Sequence, residues 1–328
     1  MCTALSFCAN HHYFGRTLDL ECSFGESIAI LPRACGLHFR RVGSMARHHA
    51  IIGVAHIVDG YPLYYDAVNE RGLAMAGLHF PGNAVYTMPE RASRPVIAPF
   101  ELIPWILGQT STVAEAYRLL GRLQVCQLDF SPNLPTTPLH WLLADREQSL
   151  VVEPLADGLH IHDNPAGVLT NNPPFDEQLR RLTDFAGLTA DPPADRMGLG
   201  QPLYSRGMGG MGLPGDLSSP SRFVRAAFTR RFARVLDSDG ENLEQAFHIL
   251  GSVGQTDGCV RLPSDEGIQY ERTVYTSCYD TTSGVCHYTT YNNRSITAVN
   301  MRAENLDTAK LISYPMLTEP RIFRQNEK

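Results

Sequence analysis

The sequence lacks what several classes of protein require. Its 328 residues contain no run of about 18 apolar residues, the minimum for a membrane-spanning helix. The N-terminus has no basic stretch leading into an apolar one, so no secretory signal is read there. None of the eight cysteines (Cys2, Cys8, Cys22, Cys35, Cys126, Cys259, Cys278 and Cys286) belongs to a CxxC pair. Scattered through a long chain without a signal, they argue against a disulfide framework and for reduced packing residues. The twelve histidines show no ligand spacing beyond the adjacent pairs His11-His12 and His48-His49, so no metal is expected. A net charge of -6 and the absence of a basic, aromatic-studded stretch argue against nucleic acid as a partner. What is present, 43% hydrophobic and 19% charged residues, can bury a large core. The expectation is a soluble, cytoplasmic, globular protein.

Apolar alternation bounded by turns predicts strands near 3–8, 12–18, 27–32, 50–57, 73–80, 138–144, 149–154, 158–162 and 166–170, and again at 269–279, 284–291 and 294–300. Helical periodicity is clearest over 97–120, 175–188 and 222–236 running into 242–252. Strands, then helices, then strands, without βαβ alternation, predict an α+β fold of antiparallel sheets covered by helices. No internal repeat divides the chain, which is read as one domain, 1–328. The Gly- and Pro-rich segment from Asp191 to Pro220 is too long for an idle connection and is read as a loop bordering a site.

Position 2 carries the most chemistry. A small residue after the initiator Met permits removal of Met1, leaving Cys2 with a thiol and a free α-amino group on one residue. Such an amine titrates near about 7.7–8.0, so part of it is unprotonated at neutral pH and can take the thiol proton, directly or through one water. Read alone, Cys2 is more often a packing residue. Its surroundings alter that. The strand from Cys2 and the run Tyr13 to Asp19 read as a hairpin, which folds Arg16 and Asp19 back toward the terminus. Arg16 and Leu18 share one face, and Asp19 lies at the strand end, where a kink can bring it round. A guanidinium near sulfur favours thiolate, and a carboxylate beside the amine orients it. The plainer alternative is a cross-strand ion pair.

Met-Cys-Thr at the start, Phe14-Gly15-Arg16 with Asp19, Asn69-Glu70-Arg71-Gly72-Leu73, Leu78-His79-Phe80-Pro81-Gly82, Leu139-His140-Trp141, Leu169-Thr170-Asn171-Asn172-Pro173, Leu213-Pro214-Gly215-Asp216 and Ser221-Arg222-Phe223 occur in that order. With these motifs the chain resembles the choloylglycine hydrolase family, which includes bile salt hydrolases and penicillin V acylases, from Met1 to about Asp307. The resemblance implies an N-terminal nucleophile hydrolase: an αββα sandwich processed to free Cys2, usually a homotetramer, without metal or cofactor. It implies catalytic roles for Cys2, Arg16, Asp19, Asn171 and Arg222, with the backbone N–H at His79 and the side-chain amide of Asn171 forming the oxyanion hole. Read without the family, Asn171 sits in an ordinary turn signal. Arg222 could equally snorkel or pair with Asp216.

His79 departs from the family, where bile salt hydrolases typically carry Asn and penicillin V acylases Tyr; alone it reads as a half-buried strand histidine. Arg206, in the loop Tyr204 to Gly210, resembles a residue bordering the amino-acid side of the pocket, where it would meet a sulfonate or carboxylate; a solvated arginine is the other reading. Leu18, Phe24, Val58 and Leu134 match pocket-lining positions and would give a steroid apolar walls, although each alone reads as core. The expected substrate is a glycine- or taurine-conjugated bile acid. The alternatives are penicillin V or an N-acyl homoserine lactone on the same fold, and a catalytically silent binding protein.

Overall fold

The computed structural model describes residues 1–264 and 267–326. In chain order the elements are β1 (Cys2–Cys8), β2 (His12–Leu20), β3 (Ser27–Leu31), β4 (Leu37–Phe39), β5 (Gly43–Met45), β6 (Ile51–Val58), β7 (Tyr61–Asn69), β8 (Ala74–His79), β9 (Val96–Ile97), α1 (Pro99–Gln109), α2 (Val113–Leu120), β10 (Gln124–Val125) and β11 (Leu139–Ala144). There follow β12 (Ser149–Leu155), β13 (Gly158–Asp163), β14 (Val168–Leu169), α3 (Phe175–Arg181), α4 (Ser219–Phe232), α5 (Asp239–Gly251), β15 (Val260–Ser264), β16 (Gly267–Asp280), β17 (Val285–Thr290), β18 (Thr297–Asn300) and β19 (Ile312–Pro315).

Two antiparallel sheets dominate. The first runs β14-β1-β2-β16-β17-β18, with β15 paired to β16; the second runs β13-β12-β11-β8-β7-β6-β3-β19. Helices α4 and α5 pack on the first sheet, and α1 packs on β6, β7 and β8 of the second, giving four layers, αββα. This layering explains the sequence of β1 and β2, buried nearly throughout. Each has a sheet on one side and a helix on the other, so neither shows the polar-out alternation of a solvent-facing strand. One core includes Leu5, Phe14, Val54, Leu78 and Phe223; a second joins Ile51, Met75 and Trp141 to Leu102 and Ile106 of α1. Gly15 keeps β2 and β16 together, since a Cβ there would run into the carbonyl oxygen of Ser277.

The α+β expectation holds, with differences in detail. The predicted helix 97–120 is two helices. Thr110 closes α1, and Thr112 starts α2 by accepting from the Glu115 amide at 3.2 Å, so local capping overrides a periodicity that continues across the break. The helix read from 222 begins at Ser219, because Pro220 is well tolerated in a first turn. The helix 175–188 ends at Arg181 and tightens to a 3-10 turn at Leu182–Phe185. β7 went unpredicted: Pro62 and the charged Asp66 interrupt its apolar pattern. Asp66 is fully buried because the hydroxyls of Tyr275, Ser277 and Tyr279 donate to its carboxylate. Between Asp191 and Ser218 the only regular element among the described residues is a 3-10 turn at Met208–Gly210. No helix among them is long and apolar enough to cross a membrane.

Candidate active site

The β1–β2 hairpin places Cys2 opposite Leu18, Thr3 opposite Thr17 and Ala4 opposite Arg16. Side-chain alternation then puts Cys2, Arg16 and Leu18 on the face toward the second sheet, and Thr3, Thr17 and Asp19 on the face toward α4. Arg16 crosses to the second sheet, donating to the carbonyls of Tyr65 at 3.1 Å and Gly77 at 2.6 Å, with Asp66 3.9 Å away. Burial opposes its charge, but Cys2, Tyr275, Asp66 and Asp19 together raise its pKa above the ordinary arginine value. Asp19 does not swing round to Arg16's face. Its carboxylate accepts from Thr17 Oγ1 at 3.2 Å and Thr273 Oγ1 at 2.7 Å and lies 3.9 Å from Arg222. Its backbone grips the terminus: the Asp19 amide donates to Met1 O at 2.8 Å, and the Met1 ammonium donates to Asp19 O.

Arg222, fully buried in the first turns of α4, donates through Nη1 to Cys2 O and Thr3 Oγ1, both at 2.6 Å, and through Nη2 to Asn171 Oδ1 at 2.8 Å. Burial lowers its pKa, against the opposing effects of Asp19, Cys2 and Glu271. The pairing with Asp216 does not form. Asp216 instead accepts from Ser218 N and Ser221 Oγ at the start of α4, which brings its pKa down to about 2.

Asn171 joins the two sides of the site. Its Oδ1 also accepts from Cys2 N at 2.8 Å, and its Nδ2 donates to His79 O at 2.7 Å. β7 pairs with β8 only as far as Ala76, leaving that edge of Gly77 and His79 free. Their carbonyls point to this edge, one to Arg16 and the other to Asn171. Because the N–H and C=O of one strand residue project to the same edge, the His79 amide faces the site too. The His79 side chain is exposed, and partial desolvation followed by the nearby N-terminal ammonium lowers its pKa.

Cys2 is 3% exposed with Met1 in place, so Met1 stands between the thiol's own backbone nitrogen and a free amine. Glu271 Oε2 takes the Met1 ammonium at 2.7 Å, while burial pushes its carboxyl above the ordinary range. Glu271 and Thr273, which touch the terminus and Asp19, were missed in the sequence. The only available signal was a charged residue inside a strand pattern.

Of the remaining candidates only Leu18 adjoins the thiol. Leu18 is buried beside Cys2, Phe24 is 51% exposed with its ring 6.3 Å from that of His56, and Val58 and Leu134 are half-buried. Arg206 is exposed on its loop, and among the described residues no hydrogen bond or ion pair joins it to Cys2, Asn171 or Arg222. Nor does any group of three or more His, Cys, Asp or Glu among those residues suit a metal ion.

An αββα sandwich with a thiol at its N-terminal strand, beside two buried guanidiniums and an amide, has the make-up of an amide hydrolase. The chain belongs to the choloylglycine hydrolase family of linear amide C–N hydrolases, which it matches over residues 2–314. It is 47% identical over 328 residues to a bile salt hydrolase/transferase of Lactiplantibacillus plantarum, covering 99% of this chain and 100% of that one. The crystal structure of the C2A mutant of conjugated bile acid hydrolase from Clostridium perfringens superimposes with a TM-score of 0.91 at 34% identity, covering 99% and 100% of the two chains. Penicillin V acylase from Agrobacterium tumefaciens shares the fold, with a TM-score of 0.75 at 20% identity and coverage of 95% and 90%.

Proposed function

We propose that this chain hydrolyses the amide bond of glycine- or taurine-conjugated bile acids, with Cys2 as nucleophile after removal of Met1. Full-length identity of 47% to a bile salt hydrolase/transferase supports the substrate class. The observation that carries the mechanism is the convergence on Asn171 Oδ1 of Cys2 N and Arg222 Nη2, each at 2.8 Å.

Loss of Met1 leaves the Cys2 amine where the peptide N–H now points, with the Asp19 backbone and Glu271 released beside it. The amine takes the thiol proton, and Arg16 favours the thiolate. Sulfur attacks the amide carbon, and the resulting oxyanion is met by Asn171 Nδ2 and the His79 N–H. Each such donor is worth roughly 2.7–4 kcal/mol. The amine returns its proton to the leaving nitrogen, the C–N bond breaks, and water hydrolyses the thioester. Arg222 holds the nucleophile's backbone through Cys2 O, with the Asp19 carboxylate 3.9 Å from its guanidinium; Leu18, Phe24, Val58 and Leu134 supply apolar walls, and Arg206 meets the anionic head group. The working form is a cofactor-free homotetramer in the cytoplasm, each chain folded as one domain.

Release of taurine, glycine and 6-aminopenicillanic acid from the respective amides tests the substrate. Conjugated bile acids should be cleaved fastest, and cleavage of penicillin V alone would overturn the assignment.

A further inference from the structure

The site's two oxyanion donors lie on separate elements: the His79 amide ends β8, and Asn171 follows β14. Something must fix the gap between them, because a shift of about 1 Å at a reacting centre can cost a hundredfold in rate. Behind both sits a polar pair that the chemistry above does not use. His140 of β11 and Glu153 of β12 are each fully buried, with His140 Nδ1 2.9 Å from Glu153 Oε1.

Each end of this pair grips one side of the Asn171 loop. His140 Nε2 lies 2.8 Å from the carbonyl of Thr170, the residue before Asn171. Both Glu153 oxygens accept from the Phe175 amide at 3.1 Å, at the start of α3. The His140 ring also stacks on Phe80, the residue after His79, with centroids 4.1 Å apart and planes within 4°. Both ring nitrogens of His140 face acceptors, a carboxylate and a carbonyl, and an imidazole gives hydrogens to both only when protonated on both. With both ring nitrogens carrying hydrogens, every polar contact of the pair is matched, the condition under which a buried ion pair is tolerated. His162 Nε2 lies 3.9 Å from Glu153 Oε2, and His79, electrostatically coupled to His140, is a further titratable group near the pair.

We propose that His140 and Glu153 are positioning residues which set the spacing of the two oxyanion donors, His140 holding the Thr170–Asn171 backbone on one side and the Phe80 ring on the other. This rests on the nucleophile and oxyanion-hole reading above. Glu153→Gln can keep every partner, giving up one arm of the forked bond from Phe175: its NH2 donates to Nδ1, Nε2–H donates to Thr170, and its carbonyl accepts from Phe175. His140→Phe keeps the volume and the stack but loses both N–H groups.

The test is steady-state kinetics on whichever amide the wild type cleaves, with thermal melts of each variant. His140→Phe should lower kcat ten- to a hundredfold with KM within threefold, while Glu153→Gln stays within about fivefold of wild type. Phe80→Leu, which removes only the stack, should lower kcat at least fivefold and decides the matter if His140→Phe does not fold. A folded His140→Phe, or failing that a folded Phe80→Leu, with wild-type kcat overturns the proposal. A wild type that cleaves no amide sinks the functional reading and this one together, a distinguishable result.

Discussion

Replacing Asn171 by Asp changes one atom's role and almost none of the volume. The retained Oδ1 still accepts from Cys2 N and Arg222 Nη2, and the added negative charge falls beside a guanidinium. The donor to His79 O, now 2.7 Å away, becomes an acceptor facing an acceptor. Leaving two buried acceptors face to face costs about 1–3 kcal/mol of stability, offset in part by the stronger contact to Arg222, so the Asn171→Asp variant should still fold, with its melting temperature lowered by about ten degrees at most. The transition state fares worse. It loses one oxyanion donor, roughly 2.7–4 kcal/mol, and kcat should fall by two to three orders of magnitude, with KM changed far less. Initial rates of amino-acid release across substrate concentrations, paired with thermal melts, separate the two effects. A variant that melts normally and turns over within threefold of wild type would refute Asn171's place in the oxyanion hole.

Other substitutions give distinct signatures. Cys2→Ser should melt like wild type and lose nearly all turnover; retained activity would remove Cys2 as nucleophile. Asp66→Asn leaves the buried Arg16 without its counter-charge and should cost about 3 kcal/mol in denaturant unfolding, together with a fall in kcat. His12 is buried between Ser6 Oγ and Thr281 Oγ1, and burial lowers its pKa to about 4. The unfolded chain therefore binds the extra proton more tightly. Stability present above about pH 6.5 is lost as pH falls toward 4, by about 3 kcal/mol, and His12→Gln should remove that part of the slope. Ser238→Ala should cost about 1 kcal/mol by uncapping α5 without touching kcat.

What could be read from the sequence was what local pattern and motif order specify. The β1–β2 hairpin and the strands carrying His79 and His140 follow from alternation and turns, and the ordered motifs single out Asn171 and Arg222. The unread parts depend on distant neighbours. Asp66 looks like a strand breaker until three hydroxyls from β16 arrive more than 200 residues later. Glu271 reads as a surface charge until the hairpin brings Met1 to it. A kink at the strand end could bring Asp19 to Arg16's side, whereas the irregularity there lies in β16, between Thr273 and Tyr275, and alternation along β2 keeps Asp19 with Thr17 on the α4 side. Periodicity carried the helix across Thr110 and Thr112, where capping by short polar side chains ends one helix and starts another.

The proposed mechanism requires one residue, Cys2, to supply both the attacking thiol and the amine that takes its proton. Intact-mass measurement of the active enzyme, alone and quenched soon after mixing with a conjugated bile acid, tests this most directly. The account predicts a chain lacking Met1 and a transient acyl adduct on its N-terminal peptide. Full activity in a chain that still carries Met1, or an adduct on any other residue, would contradict it.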